Sequence, residues 1–469
     1  MKIEQIYTGC LAQGTYYVVS GNEALIIDPL REIEPYLERL KKDGVTLKYV
    51  FETHFHADFV SGHIDLSKAT GAEIVFGPQA QPGFKAIIAA DGQQFHIGSV
   101  SITVLHTPGH TMESSIYLLR DESGKQHCIF TGDTLFLGDV GRPDLAQKAA
   151  SITQEELAGM LYDSLYQKIL PLPDDLIVYP AHGAGSACGK NMMKETVDTL
   201  GNQKKLNYAL NQPDKASFVK AVTDGLNAPP AYFPQNVSLN KMGYAPIAEV
   251  LASGLRKLSP QEFDIAAQKE NVQILDTRPA NEFFKSFIPG AINIGLNGDF
   301  APWVGSLLGN VQQPLLLVCE EGKELEAVTR LSRIGFDNVI GILSGGMNSW
   351  VKEELPTDQI PRISIEKFAE LYTPGSIVVD VRKPGEYNTA HLPNASLLTL
   401  AEIHQWTNTL QHGDHFFLHC QGGYRSMIAA SILASKGIRN FSEVEGGYSA
   451  IAKAHFPVAS LATSEKSVH

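Results

Sequence analysis

The run Thr53-His54-Phe55-His56-Ala57-Asp58-Phe59 is the most informative stretch of this 469-residue chain. It follows an apolar segment, Leu47 to Phe51, that predicts a β-strand, so its polar side chains stand in the loop after a strand. Imidazole nitrogens and carboxylate oxygens can bind a metal ion, whereas the phenylalanine that closes the run has no lone pair to offer. The run therefore predicts a site for one metal ion rather than two, which favours redox chemistry over hydrolysis.

Composition narrows the class of protein. A chain of 469 residues is too long for one hydrophobic core, so we expect two to four domains. The net charge of −13 argues against binding nucleic acid or an anionic membrane. No apolar run approaches the ~20 residues that span a bilayer, and the N-terminus lacks the apolar core of a signal peptide. Five widely spaced cysteines suit free thiols in a reducing compartment, so the cytoplasm is predicted.

Three further loops carry metal-binding residue types directly after apolar segments. His110 lies in Thr107-Pro108-Gly109-His110-Thr111, Asp133 follows the strand-like Ile129-Phe130, and His182 follows Leu176 to Tyr179. Loops at the ends of neighbouring strands can converge on one rim of a sheet. One His-x-His pair would be a weak signal, but six residues in such loops are a strong one. The candidate residues are His54, His56, Asp58, His110, Asp133 and His182.

With these loops in place, residues 1–245 resemble the metallo-β-lactamase superfamily, and within it the persulfide dioxygenases. The resemblance also rests on Gly141-Arg142-Pro143-Asp144 and Tyr179-Pro180-Ala181-His182. It implies an αββα sandwich, and we expect residues 213 to 245, rich in Pro and Asn, to form an extended closing segment. Phe59 matches the subgroup of these dioxygenases that is fused to rhodanese-like domains.

The resemblance also implies which residues hold the metal. One Fe(II) per chain would be bound by His54, His110 and Asp133, a two-histidine, one-carboxylate face that suits O₂ chemistry. The other three candidate residues would orient ligands and water without binding the ion. They are His56, Asp58 and His182.

Two residues near these loops have open roles. Arg142 is predicted to bind an anionic thiol substrate, with an exposed surface charge as the alternative. Cys188 follows His182 closely enough to bring a thiol near the pocket, although a structural thiol is the default interpretation.

The rest of the chain is an internal duplication. Asp276-Thr277-Arg278, Cys319 and Gly345-Gly346 recur about 100 residues later as Asp380-Val381-Arg382, Cys420 and Gly446-Gly447. Each copy alternates strand and helix, which implies a parallel sheet with helices on both faces. We predict two α/β domains at 255–355 and 360–458, and Ser259-Pro260-Gln261-Glu262 predicts a capped helix start in the first of them.

The second copy carries the pattern of a reactive cysteine. Cys420 lies between a predicted strand and a helix from Ser426 to Lys436, in a loop whose backbone N–H groups favour a thiolate and a bound anion. Gly422 and Gly423 keep that loop open to substrate, and Arg425 adds a positive charge. The loop resembles that of a rhodanese, which implies that Cys420 carries sulfur as a persulfide.

The first copy lacks these features. Its loop reads Cys319-Glu320-Glu321-Gly322-Lys323-Glu324, with glutamate where the second copy has arginine. The segment from the cysteine to the glycine after the next helix is one residue shorter in the first copy than in the second. We assign this missing residue to the loop. Carboxylates disfavour a thiolate and repel sulfite, so this copy is expected to be inactive.

Together these features predict an iron-dependent enzyme that oxidises low-molecular-weight persulfides, glutathione persulfide among them, with O₂ to sulfite. The rhodanese copy would transfer sulfur to that sulfite and give thiosulfate. One alternative is a binuclear zinc thioester hydrolase of the glyoxalase II type, and another is a sulfur-carrier protein with a vestigial metal domain. The thiol carrier and assembly into a homo-oligomer are left open.

Overall fold

The computed structural model describes residues 1–145, 147, 151–408, 410 and 413–460. The chain forms two compact units. The first comprises Met1–Val250 with the short segments Gly309–Val311 and Leu331–Gly335, and the second comprises the remainder. Within these described ranges, no helix is both long and apolar enough to cross a membrane.

The first unit is built from two β-sheets and the helices that cover them. Its strands are β1 (Lys2–Thr8), β2 (Gln13–Ser20), β3 (Glu23–Ile27), β4 (Thr46–Phe51), β5 (Glu73–Phe76), β6 (Ile87–Ile88), β7 (Gln94–Ile97), β8 (Val100–His106), β9 (Ser115–Arg120), β10 (Gln126–Gly132), β11 (Ile177–Pro180) and β12 (Asp198–Thr199). Its helices are α1 (Glu34–Asp43), α2 (His63–Thr70), α3 (Gln154–Ser164), which continues as a π-helical turn (Leu165–Ile169), α4 (Leu200–Leu206), α5 (Lys215–Thr223) and α6 (Phe233–Met242). Helix α7 (Ile247–Gly254) leads out of the unit.

These elements form four layers. One sheet has the strand order β1-β2-β3-β4-β5-β6 and the other β12-β11-β10-β9-β8-β7. Apolar side chains from both sheets share one core, in which Phe51 packs edge-on against Tyr117 with ring centroids 4.8 Å apart. Burying a ring of this size contributes roughly 1.5–3 kcal/mol. Tyr36 of α1 packs on the outer face of the first sheet and Leu161 of α3 on that of the second, which confirms the predicted αββα sandwich.

The topology brings the metal-binding residue types to one edge of the sandwich. Strand β4 is parallel to β3 and β5, and β10 is parallel to β11, so their carboxyl ends point the same way within each sheet. Strand β4 ends at Phe51, β8 at His106, β10 at Gly132 and β11 at Pro180. The predicted metal residues all follow these four ends directly.

The closing segment differs from the sequence expectation. Residues 213 to 245 contain helices α5 and α6 rather than extended chain, so that prediction is wrong. Asp214 caps α5 by accepting a hydrogen bond from the Ser217 backbone N–H, and Pro234 stands in the first turn of α6, where a missing N–H costs nothing. Pro234 thus marks a helix start, whereas Asn236 and Asn240 lie inside α6.

The second unit contains the two duplicated regions. Their strands are β13 (Lys257–Leu258), β14 (Gln273–Asp276), β15 (Ile292–Asn293), β16 (Leu315–Val318), β17 (Val339–Leu343), β18 (Arg362–Ile363), β19 (Ile377–Asp380), β20 (Ala395–Leu397), β21 (Phe416–His419) and β22 (Phe441–Val444). The helices of the first region are α8 (Pro260–Ala267), α9 (Ala280–Phe283), α10 (Phe300–Leu308), α11 (Glu324–Ser332) and α12 (Gly346–Lys352). Those of the second are α13 (Ile365–Leu371), α14 (Pro384–Thr389), a 3₁₀ turn (Leu400–Glu402), α15 (Ile403–Trp406), α16 (Tyr424–Ser435) and α17 (Gly447–Lys453).

The two sheets of this unit have the same topology. Their strand orders are β13-β17-β16-β14-β15 and β18-β22-β21-β19-β20, and every pairing is parallel. This agreement confirms two α/β domains with parallel sheets. Ser259 and Glu262 form the predicted capping box at the start of α8.

The length difference between the copies lies in the helix and not in the loop. Helix α11 has 9 residues and begins at Glu324, whereas α16 has 12 and begins at Tyr424, one position nearer to its cysteine. The prediction of a shorter first loop is therefore wrong. A residue count between two landmarks cannot assign a deletion to a loop when a helix separates them.

Candidate metal centre and sulfur-transfer loop

Three predicted metal ligands converge in the first unit. His54, His110 and Asp133 are all buried, and one donor atom from each lies within 4.8 Å of the others. His54 Nε2 is 3.8 Å and His110 Nε2 3.5 Å from Asp133 Oδ2. Among the described residues, this carboxylate oxygen is buried without a hydrogen-bond partner. Two imidazoles and an unpartnered carboxylate oxygen in this arrangement fit one divalent transition metal with open positions.

The other ring nitrogens of the two histidines are already occupied. Thr53 donates its hydroxyl hydrogen to Asp28 at 2.9 Å, so its oxygen accepts from His54 Nδ1 at 3.0 Å. His110 Nδ1 donates to the Arg142 carbonyl at 2.9 Å. Each bond places the ring hydrogen on Nδ1 and leaves the Nε2 lone pair for a metal. Burial, together with the neighbouring His56, lowers the pKa of His54 well below its ordinary value, which keeps that ring neutral.

His182 is held between two carboxylates. Its Nδ1 lies 2.7 Å from Asp133 Oδ1, and its Nε2 lies 2.8 Å from Asp58 Oδ2. Burial alone would lower the pKa of His182, but the charges of Asp133 and Asp58 outweigh it and raise that pKa well above its ordinary value. Burial would also raise the pKa of Asp133, and the surrounding histidines, His182 first, reverse this and lower it. The two carboxylates thus favour the cationic form of His182 in this structure, and a donor atom of His182 also lies within 4.8 Å of donors of His56 and Asp58.

His56 belongs to a neighbouring group of possible ligands, because one donor atom from each of His56, Asp58 and His182 lies within 4.8 Å of the others. Its Nε2 lies 3.1 Å from Asp28 Oδ1, and its ring packs on Phe59 with centroids 4.3 Å apart. Phe59 is fully buried, so an apolar ring fills the place beside His56. Burial and the nearby Asp28 raise the pKa of Glu52, the next carboxyl in this cluster, well above its ordinary value. Asp28 also accepts a hydrogen bond from Thr53, so this cluster supports the metal-binding loop.

Asn240 supports the same loop and was missed by the sequence analysis. Its amide nitrogen donates to the carbonyls of His56 at 2.8 Å and Phe59 at 2.7 Å, and its oxygen accepts from the Ser61 N–H at 2.8 Å. Nothing in its local sequence signals this role, because the contact joins residues about 180 positions apart in the chain. Helix α6 therefore holds the shape of the loop that carries His54.

The Arg142 guanidinium is buried and uses four of its five N–H donors within the chain. It forms a bidentate pair with Asp144 at 2.7 Å, and it also donates to the carbonyls of Ala187 and Asn227. Its own carbonyl oxygen accepts the His110 ring hydrogen. The alternative of an exposed surface charge is therefore wrong. The contacts observed tie Arg142 to the metal-binding loops, and its predicted contact with substrate stays a prediction.

Cys188 lies beside the predicted metal site. Its sulfur is within 4.8 Å of donor atoms of Asp133 and His182, and the residue is buried. Burial first, and then the charges of Asp58 and Asp133, raise the pKa of this thiol well above its ordinary value. The thiol is therefore protonated at neutral pH and is a poor nucleophile.

In the second unit, Cys420 lies at the end of β21 with its sulfur directed into the loop before α16. The Gly423 N–H donates to Cys420 Sγ at 3.1 Å, and the Ser426 hydroxyl lies 3.4 Å from it. Gly423 has a φ of 102°, a backbone region that an L side chain rarely adopts, which explains glycine at this position. The loop provides hydrogen-bond donors to sulfur, as a persulfide or thiolate requires.

Arg425 lies near this sulfur but is paired with another group. It forms two bonds, at 2.6 and 2.7 Å, with the carboxylate of Glu386. Burial alone would lower the pKa of Arg425, but the bonds to Glu386 and the charge of Cys420 raise it, so it remains cationic. Asp380 and Arg382 form a buried ion pair.

The equivalent position of the first copy is electrostatically different. Burial first, with smaller contributions from the charges of Asp276 and Glu324, raises the pKa of Cys319 to about 12. Glu324 stands as far beyond Cys319 as Arg425 stands beyond Cys420, and it pairs with Lys257. A thiol of this kind stays protonated at neutral pH.

Comparisons with known proteins identify the families of the matched regions. Residues 9–182 match the metallo-beta-lactamase superfamily, and residues 259–353 and 364–454 match the rhodanese-like domain. The human mitochondrial persulfide dioxygenase ETHE1 is 32% identical over 215 residues, which are 45% of this chain and 74% of that protein. This chain belongs to the metallo-beta-lactamase superfamily. Its fusion to tandem rhodanese domains confirms the predicted architecture.

Two other comparisons extend this result. A hydroxyacylglutathione hydrolase from Tolumonas auensis is 35% identical over 171 residues. The matched residues make up 36% of this chain and 60% of that hydrolase. A metallo-beta-lactamase structure from Staphylococcus aureus has a TM-score of 0.65 at 28% identity. The superposed region covers 73% of this chain and 98% of the Staphylococcus aureus chain. The relatives thus include both dioxygenases and hydrolases.

Proposed function

We propose that this protein is an iron-dependent persulfide dioxygenase coupled to a sulfurtransferase. The carrying observation is the donor set of the first unit. His54, His110 and Asp133 offer one atom each to a single ion, while His182 is paired on both nitrogens and Phe59 offers no donor. A two-histidine, one-carboxylate face suits Fe(II), which when bound supplies O₂ activation.

The proposed reactions balance in atoms and electrons. A persulfide R–S–SH reacts with O₂ and H₂O to give R–SH and sulfurous acid, so the outer sulfur loses the four electrons that O₂ gains. A second persulfide transfers its outer sulfur to Cys420, giving R–SH and an enzyme persulfide. Sulfite then attacks that outer sulfur, and the bond to Cys420 breaks, which releases thiosulfate and restores the cysteine.

The residues of the chain have separate proposed roles. His54, His110 and Asp133 bind the ion, while His182 keeps Asp133 ionised and oriented. Arg142 orients His110 through its carbonyl and binds the anionic end of the thiol carrier. In the second rhodanese copy, Gly422 and Gly423 line the anion-binding loop, and Arg425 attracts sulfite. The free thiols of the described residues favour the reducing cytoplasm as the compartment.

A test is O₂ consumption by iron-loaded protein across glutathione, coenzyme A and cysteine persulfides. We expect uptake that depends on one equivalent of iron and produces sulfite. Iron-loaded protein that consumes no O₂ with any of them would reject the dioxygenase.

The second candidate is a zinc thioester hydrolase, which the similarity to the Tolumonas hydrolase favours. Metal analysis of purified protein separates the two. Two tightly bound zinc ions per chain with thioesterase activity would establish the hydrolase, whereas close to one iron excludes it. A sulfur carrier would show Cys420-dependent transfer but no O₂ uptake.

A further inference from the structure

A buried acid lies next to the sulfur-transfer loop. Glu443 of β22 has no exposed surface, and it accepts hydrogen bonds from Arg362 Nε at 2.7 Å and from the Ser426 hydroxyl at 2.6 Å. Placing a carboxyl group in the interior is costly unless it is paired and hydrogen-bonded. The proposed sulfur-transfer reactions do not require this carboxyl group.

Ser426 connects Glu443 to the reactive sulfur. Its hydroxyl lies 2.6 Å from Glu443 Oε1 and 3.4 Å from Cys420 Sγ. A hydroxyl has one hydrogen, so it donates to one of these acceptors at a time. An ionised Glu443 takes the hydrogen for itself. A protonated Glu443 donates to the serine oxygen instead, and the serine hydrogen is then free to reach sulfur.

The inactive copy serves as an internal comparison. Arg362 pairs with Glu443 across the sheet of the second copy, and Lys257 pairs with Ile342 at the same place in the first. Ser426 is the third residue of α16, whereas the first three residues of α11, Glu324, Leu325 and Glu326, carry no hydroxyl group. The same fold is thus built with an apolar residue in place of the acid, so folding alone does not require it. The acid and the hydroxyl occur together only where the reactive loop occurs.

Charged and polar groups from several elements surround Glu443. Arg362 faces it from β18, the exposed Glu445 follows it beyond β22, and Ser426 faces it from α16. Burial raises the pKa of Glu443 to about 7, against the opposing effects of Arg362 and Ser426. The other charged or titratable groups near Cys420 are Arg425 with Glu386, Arg382 with Asp380, and His419.

We propose that Glu443 is a positioning residue for sulfur transfer, which directs the Ser426 hydroxyl either to its own carboxylate or to the sulfur of Cys420. With Glu443 protonated, Ser426 donates to the thiolate that leaves when sulfite takes the outer sulfur. With Glu443 ionised, that hydrogen bond to sulfur is lost. This inference rests on the proposed sulfur transfer at Cys420, and it adds a dependence on pH near neutrality.

A double-mutant cycle isolates the effect through serine. The rate of Cys420 alkylation by iodoacetamide is measured from pH 5.5 to 9.5 by peptide mass spectrometry on the full-length protein. The variants are wild type, Ser426→Ala, Glu443→Gln and the double variant. The glutamine amide donates to the serine oxygen and accepts from Arg362, so it imitates the protonated acid. Cys319, whose thiol pKa is raised, is the internal unreactive thiol, and Glu445→Gln is the matched control for loss of a nearby charge.

We expect Ser426→Ala to raise the pH midpoint of alkylation by about one unit in the Glu443→Gln background, because one hydrogen bond to a charged group is worth about tenfold or more. In the wild-type background the same change should shift the midpoint little, because ionised Glu443 already holds the hydroxyl. Ser426→Thr keeps a hydroxyl and should restore the low midpoint. Glu445→Gln should leave the midpoint unchanged.

Equal shifts in both backgrounds, or no shift in either, would overturn the inference. If Ser426→Ala does not fold, as judged by thermal unfolding, Ser426→Cys replaces it with a weaker donor of similar size. Sulfur transfer from thiosulfate to cyanide is measured in parallel on the wild type. An intact cycle without any transfer rejects the proposed function and leaves the positioning effect standing.

Discussion

At the scale of single residues, the metal site depends on which nitrogen of each histidine is free. Thr53 and the Arg142 carbonyl engage Nδ1 of His54 and His110, whereas His182 is paired on both sides. Three histidines that look alike in the sequence therefore differ in what they can bind. The difference comes from their partners and not from their spacing.

The first prediction follows from this difference. Replacing His54 by Ala should reduce the iron content to near zero and abolish O₂ uptake, because two protein donors hold an ion poorly. Replacing His56 should weaken iron binding only about tenfold, the usual effect of removing a supporting group. Iron per chain is measured by plasma mass spectrometry after dialysis. Equal iron loss in both variants would mean that His56 is also a ligand.

The second prediction concerns Arg142. We expect Arg142→Ala to raise KM for persulfides by about tenfold or more, since a charge-assisted bond to the carrier is lost. Iron content should fall less than activity, because His110 keeps its own Nε2. Arg120→Ala, at the partly exposed end of β9, is the surface control. A normal KM combined with iron loss would instead assign Arg142 to holding the metal loops alone.

At the scale of elements, helix α6 is the part of the metal domain with the least obvious role. Asn240 is buried and satisfies three backbone groups of the loop that carries the metal ligands. Because those groups are buried, water cannot replace the amide, and each unsatisfied group costs about 1–3 kcal/mol.

The third prediction is that Asn240→Ala lowers the free energy of unfolding by about 2–4 kcal/mol and weakens iron retention. The measurement is urea unfolding followed by circular dichroism, with iron content determined on the same samples. Asn202→Ala on exposed α4 is the matched control and should change stability by less than about 0.5 kcal/mol. A similar small change for both variants would show that α6 does not support the loop.

The fourth prediction concerns the loop before helix α11. Cys319→Ser should leave sulfurtransferase activity unchanged, because burial keeps this thiol protonated and Glu324 stands nearby. Thiosulfate formation and thermal unfolding are measured on the same preparation. A large fall in transfer at unchanged stability would mean that the first copy participates in the reaction.

At the scale of the whole molecule, the chain joins a metal-binding sandwich to a sulfur-transfer unit. The product proposed for the first, sulfite, is the acceptor that the second requires. Each site has its own residues, and Cys420 contributes no donor to the metal cluster. The two activities should therefore be separable by substitution.

The fifth prediction tests this separation. In Cys420→Ser the serine oxygen cannot form a persulfide, so transfer to sulfite should stop while O₂ uptake continues at a similar rate. The product should change from thiosulfate to sulfite. The measurement is chromatography of the products formed from labelled persulfide. If the variant still forms mainly thiosulfate in an enzyme-dependent reaction, the division of labour is wrong.

The sequence by itself determined the αββα sandwich, the duplicated parallel domains and the candidate metal residues. The sandwich was implied by the resemblance to the metallo-β-lactamase superfamily. The parallel domains and the metal residues follow from local signals, namely a repeated pattern around Cys319 and Cys420 and apolar strands that end in loops with His and Asp. Only the tertiary structure decided which ring nitrogens are free, that Asn240 supports the metal loop, and that Ser426 and Glu443 meet at Cys420. Those contacts join residues distant in the chain, and hydrogen bonds between buried groups form only once the fold excludes water from them.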